Sequence, residues 1–131
     1  MTPQTLEECT QLAFQNKITF PETVKRLAGA GVERYCADLV RLEKFYYEPE
    51  GETHTVTLPL TDAPTIAMSF SQRGVQETIL AIQQGKIDYP EFLRRIMAAG
   101  VVYYDVFIGG QRTIYTGRNG NFYVENFPGG K

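Results

Sequence analysis

The chain contains one sequence pattern twice, with an offset of 69 residues between the two occurrences. Residues 15–22 return as residues 84–91, and the match continues without a gap over 15–51 and 84–120. Twelve of these thirty-seven aligned positions are identical, whereas average composition gives about two or three. Because the identities extend into predicted strands, duplication of one structural unit explains them better than convergence on one turn motif.

Each copy begins with two predicted helices. The first helices cover about 3–15 and 72–84, and each is followed by Asn or Gly, the residue types that best adopt the left-handed conformation ending a helix. The second helices start with a capping box at Thr19-x-x-Glu22 and a close variant at Asp88-x-x-Glu91. The predicted N-caps are Thr2, Thr19, Ser71 and Asp88, and the second helices stop at Gly31 and Gly100.

Three predicted strands follow the helices in each copy. Gly109-Gly110 and Asn119-Gly120 are typical hairpin turns, and Pro49-Glu50-Gly51 is a turn in the first copy. The strands are predicted at about 32–40, 43–48, 52–58, 101–108, 111–117 and 121–126. The segment 101–108 is nearly all apolar, which predicts a strand that is central or at a subunit contact, with 32–40 more exposed.

We therefore expect an α+β fold in which a tandem duplication of a helix-helix-three-strand unit packs about a pseudo-twofold axis into one domain over 1–131. The copies cover about 3–58 and 71–126, with a connection over 59–70 and a flexible tail over 127–131. Within the connection, Ile66 to Phe70 are compatible with a short additional strand. Exchange of strands between the copies is an open alternative.

The charge balance argues against several classes of partner. Lys and Arg total 13 and Asp and Glu total 15, giving a net charge of −2, so we expect neither nucleic acid nor a membrane as partner. The N-terminus has no basic stretch followed by an apolar run. The longest strongly apolar window, 96–104, is far shorter than the roughly 20 residues of a membrane span. These features predict a cytoplasmic protein.

The sequence offers little material for a metal or cofactor site. Cys9 and Cys36 are isolated, which predicts two reduced, part-buried thiols. The segment around Gly85 and Glu91 matches the later positions of a calcium-binding EF-hand loop, but apolar residues occupy two of its first three ligand positions. No glycine-rich loop opens a helix onto a phosphate. We predict no metal, no cofactor and no catalytic residue.

Five residues are candidates for a ligand-binding site. His54 is the single histidine and a candidate general base, with an exposed or satisfied strand histidine as the alternative. Asp105 and Arg112 lie diagonally across the predicted glycine hairpin, as either a surface ion pair or an anion-binding arginine held by Asp105. Tyr104 and Tyr115 have tyrosine counterparts in the first copy, which indicates core packing or, alternatively, a tyrosine-lined cleft between the copies.

Several sequence runs are similar to those of one known family. They are the Lys-Ile-x-Phe/Tyr-Pro-Glu runs of both copies, the segment from Arg94 to Val101, and the segment from Ile114 to Gly120. Together they resemble the YbcV-like family of small bacterial and prophage-associated proteins, some labelled "phage envelope protein". The resemblance covers almost the whole chain. It implies phage ancestry and brings no catalytic motif that could be transferred.

The sequence therefore predicts a non-enzymatic binding or protein-interaction module of phage or prophage origin. The alternative is a small-ligand binder or enzyme that uses a cleft between the copies, with Asp105, Arg112 and His54 as its polar groups. The partner is either a protein or a small molecule. A homodimer is compatible with the apolar strand at 101–108.

Overall fold

In the computed structural model, which describes residues 2–127, four helices accompany a six-stranded antiparallel sheet. The helices are α1 (Pro3–Phe14), α2 (Phe20–Gly29), α3 (Gln72–Gln83) and α4 (Tyr89–Ala98). The strands are β1 (Arg34–Asp38), β2 (Glu43–Tyr47), β3 (Thr53–Thr57), β4 (Val101–Phe107), β5 (Arg112–Gly117) and β6 (Phe122–Asn126). The predicted α+β class is confirmed, and the helices and strands predicted within the two copies lie close to their expected positions.

The strand order β3-β2-β1-β4-β5-β6 places β1 and β4 side by side in the middle of the sheet. They pair antiparallel, and Cys36 faces Asp105 at the centre of their register. The three strands of each half stay together, so the described halves exchange no strand. β4 is central, as expected. β1 is equally central, with a paired neighbour on both sides, and 32–40 differs little in exposure from 101–108, with exposed residues at 33 and 40 against one at 103.

Alternate strand residues form the floor of the core, because successive side chains point to opposite faces of a sheet. The buried members of this face are Tyr35, Ala37, Lys44, Tyr46, Val56, Tyr104, Val106, Thr113 and Tyr115. Buried leucine, isoleucine and valine side chains of the helices pack against them. The alternate positions are mostly half-buried or exposed. The helices therefore cover one face of the sheet, and among its buried residues Lys44 and Thr113 stand out as polar.

The second helices begin with unequal caps. At α2 the Thr19 hydroxyl accepts from the Glu22 N–H at 3.3 Å, and the Glu22 carboxylate accepts from the Thr19 N–H at 2.9 Å, which completes the predicted capping box. At α4 Asp88 accepts from the Glu91 N–H at 3.0 Å. The Glu91 carboxylate instead pairs with two arginines of its own helix. The close variant predicted at Asp88 therefore forms only half of a box.

Thr19→Ala should lower the free energy of unfolding by about 1 kcal/mol, because it removes the acceptor that satisfies the first turn of α2. Thr2 is the matched control. It occupies the N-cap of α1 without a side-chain bond to the backbone, and its hydroxyl contacts the Thr5 hydroxyl instead. Urea unfolding of Thr2→Ala should match the wild type within a few tenths of a kcal/mol. Equal losses in both variants would show that the cap geometry does not govern helix stability here.

Two arginines hold the connection over 59–70. The Arg94 guanidinium donates to the Thr61 carbonyl at 3.1 and 3.2 Å. Arg118 donates to the Ile66 carbonyl at 2.8 Å. The connection also forms a backbone hydrogen bond with the C-terminal end of α4, from the Ala67 N–H to the Met97 carbonyl at 3.0 Å. The additional strand with which this segment was compatible is therefore absent, since these bonds replace strand pairing.

Of the tail predicted over 127–131, the structure describes Phe127. Its N–H donates to the Gln111 carbonyl at 3.0 Å, and its ring meets that of Phe20 edge-on at 5.1 Å between centroids. Phe127 is thus packed against the domain. The prediction of a flexible tail for 128–131 lies outside the described residues, as does Met1.

Candidate functional site

A cavity of about 570 Å³ lies between the sheet and the helices, where the two halves of the chain meet. Side chains of five strands form its floor, and the turns from α1 to α2 and from α3 to α4 form its walls. Asn16, Thr19, Gly85 and Asp88 belong to these turns and are exposed, so they form the rim. The volume is within the range of small-molecule binding sites, roughly 300–1,000 Å³.

A lysine side chain is buried at one end of the cavity. Lys44 is 3% exposed, and its Nζ lies 5.1 Å from the ring centre of Tyr35 and 4.8 Å from that of Tyr89. Among residues 2–127, no carboxylate pairs with this ammonium and no acceptor takes a hydrogen bond from it. Burial disfavours the charged form and lowers the pKa of Lys44 to about 8. The described fold therefore buries a cation, still mostly protonated at neutral pH, without a counter-charge.

A second polar group lies at the opposite end, on β5 and β6. The Tyr115 hydroxyl donates to one oxygen of Glu125 at 2.9 Å, and the Gln83 amide donates to the other at 2.8 Å. Burial raises the pKa of the Glu125 carboxyl, although these two bonds oppose the shift. Thr113 faces Glu125 across the strand pair, and its buried Oγ1 has no hydrogen-bond partner in the described structure. An unpartnered buried hydroxyl costs roughly 1–3 kcal/mol.

Aromatic side chains line the space between these two ends. The Tyr104 ring contacts those of Tyr35 and Phe92 at 6.5 and 6.3 Å between centroids. The hydroxyls of Tyr89 and Tyr104 are hydrogen-bonded to each other. Burial raises the pKa of Tyr35, Tyr89 and Tyr104, which keeps these hydroxyls neutral. The middle of the cavity is thus an aromatic surface that carries no charge of its own.

Two of the five sequence-predicted site residues line this cavity. Tyr104 and Tyr115 are each 3% exposed, and their rings pack at 5.5 Å between centroids. In the first half, Tyr35 and Tyr46 form the equivalent pair at 5.3 Å. The two interpretations offered for these tyrosines, core packing and a lined cleft, therefore apply together.

Asp105 and Arg112 lie on the other face of the sheet, away from the cavity. Arg112 pairs with Phe107 in the β4–β5 register, as the glycine hairpin predicts. However, no ion pair joins Arg112 to Asp105 within residues 2–127. Asp105 instead faces Cys36 of β1 in the β1–β4 register, and, besides burial, interaction with this carboxylate helps to raise the pKa of the Cys36 thiol. The predicted cross-strand ion pair is therefore wrong, because pairing of β1 with β4 gives Asp105 a closer partner.

His54 lies on β3 at a distance from the other candidates. Its Nε2 is 3.8 Å from a carboxylate oxygen of Glu7 on α1, and no hydrogen bond to this nitrogen is present in the described structure. The histidine is beside Tyr46 in the β2–β3 register and does not line the cavity. The structure thus separates the three polar candidates, and only Asp105 and Arg112 share a face of the sheet.

Sequence reasoning missed Lys44, Thr113 and Glu125. Strand alternation could have found the first two, because Lys44 and Thr113 stand two residues before the core tyrosines Tyr46 and Tyr115 and so share their face. The same argument applies to Glu125, which lies two residues after Tyr123. A lysine on a strand is usually predicted to face solvent, as Lys44 would be, because lysine is almost never fully buried without a partner.

Neither the known protein-family models nor the curated proteins contain a match to this chain. Within residues 2–127, no group of His, Cys, Asp and Glu side chains could hold a metal ion. In the same residues, no helix combines the length and the apolar character that crossing a membrane requires.

Proposed function

We propose that the protein binds a small aromatic monocarboxylate in the cavity, with Lys44 as the counter-charge. The observation that carries this proposal is a buried ammonium that faces a ligand-sized space and has no partner among the described residues. A bound carboxylate would supply the missing charge and accept a charge-assisted hydrogen bond, which is about twice as strong as a neutral one. Of the two functions predicted from the sequence, this favours the small-ligand binder over the protein-interaction module.

The lining supports a ligand with one negative charge. Lys44 is the sole cationic residue among the described lining residues, whereas Asp88 and Glu125 are acidic. A phosphate carries about two negative charges at neutral pH and is usually held by several donors or cations. A monocarboxylate matches the single ammonium better.

The lining also supports an aromatic body. Tyr35, Tyr89, Phe92, Tyr104 and Tyr115 all face the cavity. Aromatic rings gain about 0.5–1.5 kcal/mol from edge-to-face or offset contacts beyond the burial of their area. A flat ring of a ligand would find such partners on several sides, while a long flexible chain would lose more conformational freedom on entering.

Binding of 3-phenylpropionate, measured by isothermal titration calorimetry, tests the proposal. The wild type should bind this probe, and Lys44→Met should bind it at least tenfold more weakly, since a hydrogen bond to a charged group contributes about 1.5–3 kcal/mol. Lys25→Met, which removes an exposed lysine of α2, is the matched control and should retain the wild-type affinity. Equal affinity for uncharged 3-phenylpropionamide, or unchanged binding in Lys44→Met, would contradict the role of Lys44.

We also propose that the two halves arose by duplication and are related by a pseudo-twofold axis between β1 and β4. Support comes from backbone conformation: positive φ angles occur at 16 and 85, 31 and 100, 42 and 111, and 51 and 120, all with the sequence offset of 69. The shared sequence runs lead us to propose, further, that the chain is related to the YbcV-like family and has a prophage origin. Homologues in which 15–51 and 84–120 match no better than shuffled segments would contradict the duplication.

A further inference from the structure

We propose that Lys44 also captures aromatic aldehydes in the cavity, by condensing its side-chain amine with the carbonyl group to form an imine. This inference goes beyond the proposed function, because it concerns covalent binding by the neutral amine instead of ion pairing by the ammonium. It uses the same cavity and does not require that a carboxylate binds there. It rests on the position of the Lys44 Nζ at the cavity, its lack of a counter-charge, and the aromatic rings beside it.

The Lys44 Nζ lies inside the domain and can still be reached from the cavity. Among residues 2–127, the fully enclosed side-chain nitrogen and oxygen atoms without a hydrogen-bond partner are His54 Nε2 and Thr113 Oγ1. The Lys44 Nζ also lacks a partner but is not one of these enclosed atoms, so part of its surface is accessible. Because Lys44 lines the cavity and only 3% of the residue is exposed, we infer that this accessible surface faces the cavity.

The surroundings of Lys44 keep part of its amine neutral, which is the form that attacks a carbonyl carbon. Lysines desolvated in apolar pockets are the ones that form imines in enzymes. The titratable groups beside Lys44 are the Cys9 thiol of α1 and the hydroxyls of Tyr35 and Tyr89. Burial raises the pKa of each of these three groups, so none of them supplies an anion that would hold the ammonium.

This environment distinguishes Lys44 from the other lysines of the described chain. With a pKa of about 8, about one Lys44 side chain in ten is neutral at pH 7. An ordinary lysine, with a pKa near 10.4, is neutral in fewer than roughly one molecule in a thousand. Lys17, Lys25 and Lys86 are exposed. At neutral pH we therefore expect an aldehyde to react with Lys44 in preference to these three.

The condensation balances without an oxidant or a reductant. The amine nitrogen attacks the carbonyl carbon, the C–N bond forms, and the C=O electron pair moves to the oxygen, which takes one amine proton. The C–O bond of this carbinolamine then breaks, the oxygen leaves as water with the second amine proton, and the C=N bond forms. Uptake of the proton that the ammonium released gives a protonated imine with the same single positive charge.

The lining favours an aldehyde that carries an aromatic ring. The Lys44 Nζ lies 5.1 Å from the ring centre of Tyr35 and 4.8 Å from that of Tyr89. A protonated imine at this position keeps the attraction between a cation and the faces of these rings. An aryl group on the imine carbon can also make edge-to-face or offset contacts with the aromatic lining.

Reductive trapping with benzaldehyde and sodium cyanoborohydride at pH 7, followed by peptide mass spectrometry, tests the proposal. The wild type should gain one benzyl group on Lys44 at least about tenfold faster than on any exposed lysine. Lys44→Met should lose this modification, and Lys25→Met, the matched control, should retain the wild-type rate at Lys44. The N-terminal amine, with an ordinary pKa of about 8, is a competing site that peptide mapping separates.

Protection by 3-phenylpropionate separates failure of this inference from failure of the proposed function. A bound carboxylate favours the ammonium and fills the cavity, so it should slow the modification of Lys44. Modification of Lys44 no faster than that of the exposed lysines, or none at all, overturns aldehyde capture, while calorimetry still decides the proposed function. Fast modification that 3-phenylpropionate does not slow, with no calorimetric binding of this probe, overturns the proposed function and leaves aldehyde capture standing.

Discussion

Gly100→Ala is expected to lower the free energy of unfolding by at least about 3 kcal/mol and the melting temperature by roughly 10 °C. Gly100 has a φ of +92°, in the left-handed region that favours glycine. A Cβ at this position would lie 2.3 Å from the Ser69 carbonyl oxygen and 2.9 Å from the Phe70 Cα. These are backbone atoms, and the adjacent Ser71 N–H is bonded to the Ala99 carbonyl at 2.7 Å, so they cannot easily move away.

Gly31→Ala is the matched control for this prediction. Gly31 occupies the equivalent position after α2 and has a φ of +88°, but the nearest atoms to an added Cβ belong to the flexible Glu48 side chain at 3.8 Å. Only the left-handed strain remains there, which costs about 1–2 kcal/mol. Urea unfolding of both variants measures the difference. Equal losses would mean that the connection does not approach the end of α4 as closely as the structure places it.

This pair of glycines also shows what the sequence can and cannot predict about the fold. Both glycines are visible as helix stops, because the conformation that ends a helix is local and leaves a local signature. Their different environments depend on the connection over 59–70, which has no counterpart in the first half. The path of that connection is set by Arg94, Arg118 and the end of α4. Such tertiary contacts leave no periodic pattern in the sequence. The sequence of 66–70 is therefore compatible with a strand, although no strand forms there.

The candidate site was less predictable than the fold for a related reason. Among polar residues that could carry chemistry, residue type alone points to His54, Asp105 and Arg112. The structure places these residues at the edge or on the far face of the sheet. The sequence identifies Tyr104 and Tyr115 because both have tyrosine counterparts in the first copy. Tyrosines kept at equivalent positions indicate that the two copies share the same core packing. Lys44 and Thr113 occupy equivalent positions in the two copies, but their residue types differ. A comparison of the two copies for identical residues therefore identifies neither of them.

Lys44→Met should stabilise the protein by about 3 kcal/mol at pH 7, while weakening binding of the carboxylate probe at least tenfold. The pKa of Lys44 is about 8 in the folded protein, below the value near 10.4 of an unfolded lysine. Below pH 8 the side chain is protonated in both states, so the folded state bears the full cost of the buried charge. Between about pH 8 and 10.4 the unfolded state binds more protons, and this cost declines as pH rises.

The difference in the free energy of unfolding between Lys44→Met and the wild type isolates the cost of the buried Lys44 charge. Burial raises the pKa of Cys36 to about 12 and that of the buried tyrosines as well, which makes both proteins less stable as the pH rises from about 8.5 upwards. These contributions cancel in the difference, which should fall from about 3 kcal/mol at pH 7 towards zero near pH 10. Urea unfolding at four pH values measures it, with Lys25→Met as the variant that should show no such trend.

A carboxylate bound beside Lys44 should raise the pKa of this lysine back towards its ordinary value, because an opposite charge favours the ammonium form. Binding at pH 8.5 should therefore take up protons from the buffer, whereas binding at pH 6.5 should not. Calorimetry in two buffers of different ionisation enthalpy measures this uptake directly. A stability difference that stays constant from pH 7 to 10, together with binding that takes up no proton at pH 8.5, would mean that Lys44 is neither a costly buried charge nor the group that holds the ligand.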